Sequence, residues 1–253
     1  MSIHPSRLTL TRIRRTQSNR LVLVSGKVRF MLLVLSALAI SSTLISRHMP
    51  AQSDPFAKEV AAFSNADRIN PPAKGQVLFI GSSSFTKWTD VGDYFPNVKI
   101  LNRAFGGSAL PDVIRHLDEV VYPYKPRQVV IYCGENDFAG DSKLEPAEVV
   151  NRFKTLFRLI RNHERNVPII YVSMKPSPSR WQMRAKFQTA NAKIADFLKH
   201  QRKAEFLDVW PVMLNGDGVP KPEIFLSDRL HMNATGYHLW QPLLEPLLVK
   251  QSN

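Results

Sequence analysis

Five short apolar runs divide the chain from residue 76 onward. They occupy residues 76–80 (QVLFI), 98–101 (VKIL), 128–133 (QVVIYC), 167–172 (VPIIYV) and 205–209 (EFLDV). Short runs without strict alternation of polar and apolar residues are typical of strands buried on both faces of a sheet. We therefore predict five buried strands at these positions.

Stretches with helical periodicity lie between several of these runs. We predict helices over residues 55–65, 111–121, 181–200 and from residues 146 and 234 onward, the last capped by Asn233. The helix from residue 146 carries its apolar face on Val149, Val150, Phe153, Leu156, Phe157 and Ile160, and the helix over 181–200 carries it on Phe187, Ile194, Phe197 and Leu198. Strands that alternate with helices imply an α/β fold, with helices on both faces of a parallel sheet.

The N-terminal segment has a different composition. Residues 1–29 hold seven Lys/Arg and no acidic residue, and residues 30–46 are uncharged and apolar at 12 of 17 positions. A helix of that length would span about 25 Å, slightly less than the roughly 30 Å of a bilayer core. We predict an uncleaved signal-anchor that keeps residues 1–29 cytoplasmic and exports the rest to the periplasmic or extracellular side. Two alternatives are a cleaved signal, which would give a secreted protein, and an organelle transit peptide.

The positive net charge is concentrated in the same segment. Of the total of +13, residues 1–50 contribute +8 and residues 51–253 contribute +5. A basic excess bears on solubility and association rather than on fold, and the sequence carries no zinc-ligand spacing or RNA-binding aromatic motif. We therefore predict no nucleic-acid partner and no bound metal. The single cysteine, Cys133, excludes an internal disulfide, and we expect it to be a small buried residue rather than a nucleophile.

Residues with catalytic potential follow the first three predicted strands. Gly81-Ser82-Ser83-Ser84 follows the first strand, Gly106-Gly107 the second, and Gly134-Glu135-Asn136-Asp137 the third. In parallel sheets, ligands bind beyond the carboxyl ends of the strands, so these motifs are expected to meet at one edge.

Ser83 is the predicted nucleophile, although spacing alone leaves Ser82 and Ser84 as candidates. A serine at a strand-to-helix turn projects above the sheet, and its own N–H can face an oxyanion. The Gly107 N–H and the Asn136 side-chain amide would complete the oxyanion hole. Each motif taken alone also fits an ordinary cap or turn.

Asp228 and His231 follow the fifth predicted strand, three residues apart. His231 is the predicted general base, and Asp228 would hold its tautomer and orientation. After the fourth strand, Lys175, Arg180 and Trp181 could line one wall of a substrate pocket, or could simply belong to a proline-stiffened loop that enters a helix.

Together these motifs resemble the SGNH hydrolases, also called the GDSL lipase/esterase family, over residues 76–250. The resemblance rests on Gly81-Ser82-Ser83, on residues 102–107 (NRAFGG), on Gly134-Glu135-Asn136-Asp137, and on Asp228-Arg229-Leu230-His231, in that order. Ser82 stands where the family commonly has Asp. The resemblance implies a three-layer α/β/α sandwich with a five-stranded parallel sheet, a nucleophile at Ser83 and an oxyanion glycine at Gly107.

The function implied by the resemblance is hydrolysis of carboxylic esters without a cofactor. The substrate would be a small-molecule, lipid or carbohydrate ester. Alternatives on the same site are an O-acyltransferase and a carbohydrate deacetylase, and an alternative of another class is a catalytically silent, membrane-tethered binding module. The predicted organisation is a basic segment (1–29), a membrane-spanning or signal segment (30–46), a linker with a short helix (47–75) and the hydrolase domain (76–250).

Overall fold

The protein is represented by a computed structural model that describes residues 54–250. The predicted basic segment and the predicted membrane span both lie outside these residues. Among the helices within 54–250, none has the length and apolar character needed to cross a bilayer.

A five-stranded parallel sheet forms the centre of the described chain. Its strands are β1 (Val77–Gly81), β2 (Ile100–Asn102), β3 (Gln128–Tyr132), β4 (Ile169–Val172) and β5 (Ala204–Leu207), in the order β2-β1-β3-β4-β5. All neighbouring pairs are parallel. The predicted strands are therefore confirmed in number and in parallel direction, with ends that differ by one or two residues. The prediction that all five are buried is wrong for β2 and β5, which are only partly buried because they form the two edges of the sheet. The prediction carried the fifth strand to residue 209, but it ends at Leu207, and Asp208 then turns the chain by accepting a hydrogen bond from Trp210 N.

Nine α-helices surround the sheet in the described residues. They are α1 (Ala57–Ile69), α2 (Ser83–Thr86), α3 (Val91–Tyr94), α4 (Leu110–Arg115), α5 (Leu117–Val120), α6 (Glu135–Gly140), α7 (Pro146–His163), α8 (Arg184–Lys199) and α9 (Ala234–Leu244). Short 3₁₀ helices connect several of them, among them Pro178–Met183 just before α8.

Side chains that alternate along the strands build two separate cores. On β1, Leu78 and Ile80 join the core covered by α1, α4, α5, α7 and α8, whereas Val77 and Phe79 join the core covered by α2, α3 and α9. A strand buried on both sides must be apolar at every position, which is why β1, β3 and β4 read as continuous apolar runs. The predicted three-layer α/β/α sandwich is confirmed.

The buried faces of the helices agree in most positions with the apolar periodicity of the sequence. All six residues predicted for the buried face of α7 are its buried residues, and Asn233 caps α9 by accepting a hydrogen bond from Gly236 N. In α8, Phe197 is only partly buried.

The helix predicted from residue 181 begins at Arg184, because the residues before it form a 3₁₀ turn. The one predicted from residue 55 begins at Ala57, because the Asp54 carboxylate accepts from Phe56 N and holds a turn there. The helix predicted over 111–121 is broken at His116 into α4 and α5.

The strand order creates a natural cleft at one end of the sheet. β1 pairs with β2 on one side and with β3 on the other, so successive connections diverge between β1 and β3. Parallel α/β sheets bind ligands at such a point, beyond the carboxyl ends of the strands. The turns that follow β1 and β3 carry Ser83 and Asn136, and both therefore lie at this cleft.

Candidate active site

The turn that follows β1 can be made only by glycine at position 81. Gly81 has φ of +123°, and a Cβ added there would lie 1.9 Å from the carbonyl oxygen of Tyr132. This close approach lets Ser82 N donate a hydrogen bond to the same oxygen at 2.9 Å. β1 thus stays attached to the end of β3 while the chain turns abruptly into α2, which begins at Ser83.

The three consecutive serines of this turn have different surroundings. Ser82 and Ser84 are buried, whereas Ser83 is partly exposed. It is the Ser83 hydroxyl that lies 2.9 Å from Nε2 of His231. Spacing left all three serines open as the nucleophile. Within residues 54–250, Ser83 is the one of the three whose hydroxyl lies within hydrogen-bond distance of a histidine.

The Asp228-to-His231 turn presents both of its candidate side chains from a strained backbone. Arg229 adopts a left-handed conformation with φ of +57°, which is costly for a residue with a Cβ. Oδ1 of Asp228 accepts from Leu230 N and from His231 N, each at 2.9 Å, and Oδ2 lies 2.6 Å from Nδ1 of His231. Asp228, His231 and Ser83 therefore form one continuous hydrogen-bonded chain.

Electrostatics keep the Asp228 carboxyl ionised. Burial acts to raise its pKa, but the hydrogen bonds from the His231 ring and from the backbone N–H groups of His231 and Leu230 outweigh burial and lower the pKa to about 2. An ionised carboxylate can only accept hydrogen bonds, so it requires a proton on Nδ1 of His231. The neutral ring then has its lone pair on Nε2, which faces Ser83.

The Gly106-Gly107 loop lies beyond β2 and leaves a backbone donor free. Gly107 has φ of +83°, and a Cβ there would make only an ordinary contact with the Phe56 ring at 3.9 Å. The requirement for glycine therefore comes from the backbone angle and not from a lack of space. Neither the Gly107 N–H nor the Ser83 N–H donates to any acceptor within residues 54–250.

Neighbouring groups hold this loop in place from two sides. A Glu59 carboxylate oxygen on α1 accepts from Gly106 N at 3.0 Å, and the Ser108 hydroxyl lies 3.0 Å from the carbonyl oxygen of Gly81. The loop is thereby fastened both to the first helix and to the end of β1.

Asn136, at the start of α6, presents its amide to the same loop. Its Nδ2 donates to the Ser108 carbonyl at 2.9 Å, and its Oδ1 accepts from Nη2 of Arg180 at 2.7 Å. An amide nitrogen carries two hydrogens, and the second has no acceptor within residues 54–250. This free N–H joins the N–H groups of Ser83 and Gly107 as a third available donor.

The next residue, Asp137, is a buried structural anchor. It accepts from Leu110 N at 3.0 Å and from Nη1 of Arg152 at 2.9 Å. Burial raises its pKa, while its hydrogen bonds to Leu110 N and Arg152 act in the opposite direction. Through Leu110, Asp137 fixes the start of α4 and therefore the end of the Gly107 loop.

The three residues predicted to line the substrate pocket differ in their exposure and in their contacts. Lys175 is 1% exposed, with Nζ 3.1 Å from Oε1 of Glu135, so its ammonium does not face an open pocket as the prediction supposed. Arg180 is mostly buried and bonds to Glu135 and Asn136. Trp181 is partly exposed and stacks on Trp210 with ring centroids 6.2 Å apart.

Two residues that support the candidate site, Asn102 and Glu135, were not assigned a role from the sequence. Asn102 donates to the carbonyl of Phe85 at 2.7 Å and accepts from Ala104 N at 3.0 Å, which ties the Ser83 helix to the glycine loop. Glu135 lies inside a recognised motif but received no role. A buried Glu cannot be distinguished from a surface Glu by its own sequence position, since its partners Lys175 and Arg180 lie 40 and 45 residues away.

Cys133 is buried at the end of β3, as expected for a small core residue. Burial raises the pKa of its thiol well above the ordinary value. A protonated, buried thiol is a poor nucleophile, so Cys133 does not compete with Ser83.

Comparison with known proteins yields one family. The model of the GDSL-like lipase/acylhydrolase family matches residues 80–239, which include all four motifs. Among curated proteins, no match was found.

Solved structures share the fold at low sequence identity. A Streptococcus pneumonia protein provisionally described as a platelet activating factor is 19% identical, with a TM-score of 0.66, and the match covers 88% of this chain and 100% of that one. A GDSL-like lipase from Bacteroides thetaiotaomicron is 22% identical, with a TM-score of 0.61 and coverage of 76% and 94%. A mutant acetyl-xylooligosaccharide esterase from Geobacillus Stearmophilus is 15% identical, with a TM-score of 0.56 and coverage of 72% and 99%.

Proposed function

Because this chain belongs to the GDSL-like lipase/acylhydrolase family, we propose that it is a serine hydrolase of carboxylic esters. The observation that carries the proposal is the unbroken contact chain from Asp228 through His231 to the Ser83 hydroxyl. A serine hydroxyl is a weak nucleophile unless an adjacent base removes its proton, and this arrangement supplies one.

In the proposed reaction, Oγ of Ser83 attacks the ester carbonyl while Nε2 of His231 takes the hydroxyl proton. The imidazolium that forms is stabilised by Asp228. Negative charge develops on the former carbonyl oxygen and is met by the N–H groups of Ser83, Gly107 and Asn136. Collapse of the tetrahedral intermediate breaks the bond to the alcohol oxygen, which leaves with the proton from His231. Water, activated by the same histidine, then hydrolyses the acyl-enzyme.

The first test is covalent labelling of the full-length protein with a fluorophosphonate probe. We expect labelling of the wild type and loss of both labelling and p-nitrophenyl acetate hydrolysis in Ser83→Ala. Ser82→Ala and Ser84→Ala are matched controls that remove a neighbouring hydroxyl and should still be labelled. Persistent labelling of folded Ser83→Ala would move the nucleophile to another residue.

The alternatives differ in what accepts the acyl group. Transfer of acetyl to an added sugar alcohol, faster than hydrolysis, would favour an acyltransferase. Turnover of acetylated xylooligosaccharides at a much higher kcat/KM than simple esters would favour a carbohydrate deacetylase, an activity suggested by the Geobacillus neighbour. Absence of labelling in well-folded wild type would favour a binding module.

The proposed location is the outer side of a membrane, with the protein anchored by residues 30–46. Its support is the basic and then apolar composition of the N-terminal segment. The test is extraction of membranes from cells expressing the full-length chain. Retention after alkaline carbonate washing, together with accessibility to added protease only from the outer side, is the expected result, and release into the wash would contradict an uncleaved anchor.

A further inference from the structure

A cluster of three charged side chains and one tyrosine, mostly buried, is hydrogen-bonded to Asn136 through Arg180. It consists of Tyr132, Glu135, Lys175 and Arg180, with Glu135 at its centre. Oε1 of Glu135 accepts from the Tyr132 hydroxyl and, at 3.1 Å, from Nζ of Lys175. Its Oε2 accepts from Nη1 of Arg180 at 3.1 Å.

Within residues 54–250, Arg180 is the member of this cluster whose side chain hydrogen-bonds to Asn136. Arg180 spans two acceptors, with Nη1 on Glu135 and Nη2 on Oδ1 of Asn136 at 2.7 Å. Its planar fork of donors allows one guanidinium to hold both partners at fixed angles. In the part of the chain that the structure describes, the side chains of Glu135 and Lys175 make no hydrogen bond to the Asn136 amide and are linked to it through Arg180.

We propose that Arg180 is a positioning residue that fixes the Asn136 amide for oxyanion stabilisation, with Glu135 and Lys175 holding Arg180 in place. The inference rests on the proposed function, because it assigns Arg180 a role in the same oxyanion hole.

The hydrogen-bond partners permit one orientation of the amide. A guanidinium can only donate and a carbonyl can only accept, so Oδ1 must face Arg180 and Nδ2 must face Ser108. Rotating the amide by half a turn would set donor against donor and acceptor against acceptor. In the permitted orientation the second N–H of Nδ2 is left for the substrate oxygen.

The charge on Arg180 also strengthens that N–H. Hydrogen bonds to a charged donor are about twice as strong as neutral ones, and drawing electron density toward Oδ1 makes the amide N–H a better donor. Within the cluster the Glu135 carboxylate faces two cations, and one of them, Arg180, also donates to Oδ1 of Asn136. Such preorganised dipoles and charges stabilise a transition state without rearranging during the reaction.

Stability alone does not account for this cluster. Glu135 is 3% exposed and Lys175 is 1% exposed, and a buried ion pair usually contributes little net stability, because removing two charges from water offsets their attraction. Such a cluster does fix geometry, and the geometry that it fixes here is that of Asn136.

The test is a double-mutant cycle on kcat for p-nitrophenyl acetate in the full-length protein, with Asn136→Ala and Arg180→Met. We expect Asn136→Ala to lower kcat by about 10²–10³-fold and Arg180→Met to lower it by about 10–100-fold, with KM changed less than twofold. In the Asn136→Ala background, Arg180→Met should have no further effect on kcat. Equal effects of Arg180→Met in both backgrounds would overturn the proposal.

Two further variants separate positioning from charge and from folding. Arg180→Lys keeps the charge but cannot bridge two acceptors, so it should also lower kcat, and full activity of Arg180→Lys would overturn the positioning role. Arg184→Met is the matched control, because Arg184 lies over Trp181 and not on Asn136, and its kcat should be unchanged. Circular dichroism and urea unfolding establish that each variant is folded.

The outcomes distinguish this inference from the proposed function. If Asn136→Ala leaves kcat unchanged, Asn136 is not an oxyanion donor and both claims about that residue fail. If Asn136→Ala is impaired and Arg180→Met is not, the oxyanion hole stands and only the role of Arg180 fails.

Discussion

The sharpest prediction concerns the substitution Asp228→Asn, which replaces one side-chain oxygen by a nitrogen. In the wild type, Oδ1 of Asp228 accepts from Leu230 N and His231 N, and Oδ2 faces Nδ1 of His231 at 2.6 Å. In the variant, the single amide oxygen should stay with the two backbone donors, since turning the amide would place its N–H₂ group against both of them. The amide nitrogen then faces Nδ1 of His231.

That arrangement reverses the tautomer of the histidine. Because the amide donates to Nδ1, the ring must carry its proton on Nε2, which lies 2.9 Å from the Ser83 hydroxyl. A protonated Nε2 cannot accept the Ser83 proton. In the Ser-His-Asp template this change of tautomer lowers kcat by about 10⁴-fold, which corresponds to about 5.4 kcal/mol of transition-state stabilisation.

The assay is kcat for p-nitrophenyl acetate near pH 8, with ¹⁵N-histidine NMR to observe the tautomer of His231. Asp208→Asn is the matched control, because Asp208 also accepts a backbone N–H two residues ahead, from Trp210, at 3.0 Å, and it should retain wild-type kcat. A folded Asp228→Asn variant with kcat within tenfold of the wild type would refute the reasoning.

Three further predictions concern stability. Gly81→Ala should lower the free energy of unfolding by more than about 3 kcal/mol in urea titrations, because its Cβ would lie 1.9 Å from the Tyr132 carbonyl oxygen and φ is +123°; a loss below 1 kcal/mol would contradict this geometry. Arg152→Met should cost about 3–5 kcal/mol by leaving the buried Asp137 carboxylate without its ion-pair partner, and Asp137→Asn in the same background should recover part of that loss. The pKa of Asp228 is lowered to about 2 from 3.8, so its stabilising effect is fully present above the unfolded value and is lost as the pH falls toward 2. Because the carboxylate is exposed by nearly half, we expect less than about 1 kcal/mol, measured as a difference in unfolding free energy between wild type and Asp228→Asn that shrinks from pH 5 to pH 2.

Local patterns were sufficient to predict the elements of the fold. β1, β3 and β4 read as continuous apolar runs because both of their faces are buried, and the buried face of α7 was predicted from its helical period. The errors lie at element ends and at His116, where the helix predicted over 111–121 is broken in two. The Asp54 carboxylate holds a turn by accepting from Phe56 N, so α1 begins at Ala57 and not at residue 55, and both a helix and a turn are compatible with Asp-Pro in sequence.

The candidate site could be predicted only in part, because it is formed by contacts between residues that are far apart in sequence. Asp228 and His231 could be paired from sequence because they are only three positions apart and the turn that joins them is local. Spacing left three serines open as partners of His231, and the tertiary fold presents the Ser83 hydroxyl to it across 148 residues. The reason is that Gly81 turns the chain so that Ser82 and Ser84 point inward.

Lys175 and Arg180 show what only the tertiary structure decided. The sequence determined that two cations follow β4 at the edge of the sheet where the other motifs meet, and this position follows from the parallel topology alone. Whether these two cations face substrate or protein depends on the residues that follow the neighbouring strand, β3. There the Glu135 carboxylate binds both of them. A buried carboxylate left without a partner is strongly destabilising, so Glu135 is paired with both cations, which keeps Lys175 away from the surface and places Arg180 on Asn136.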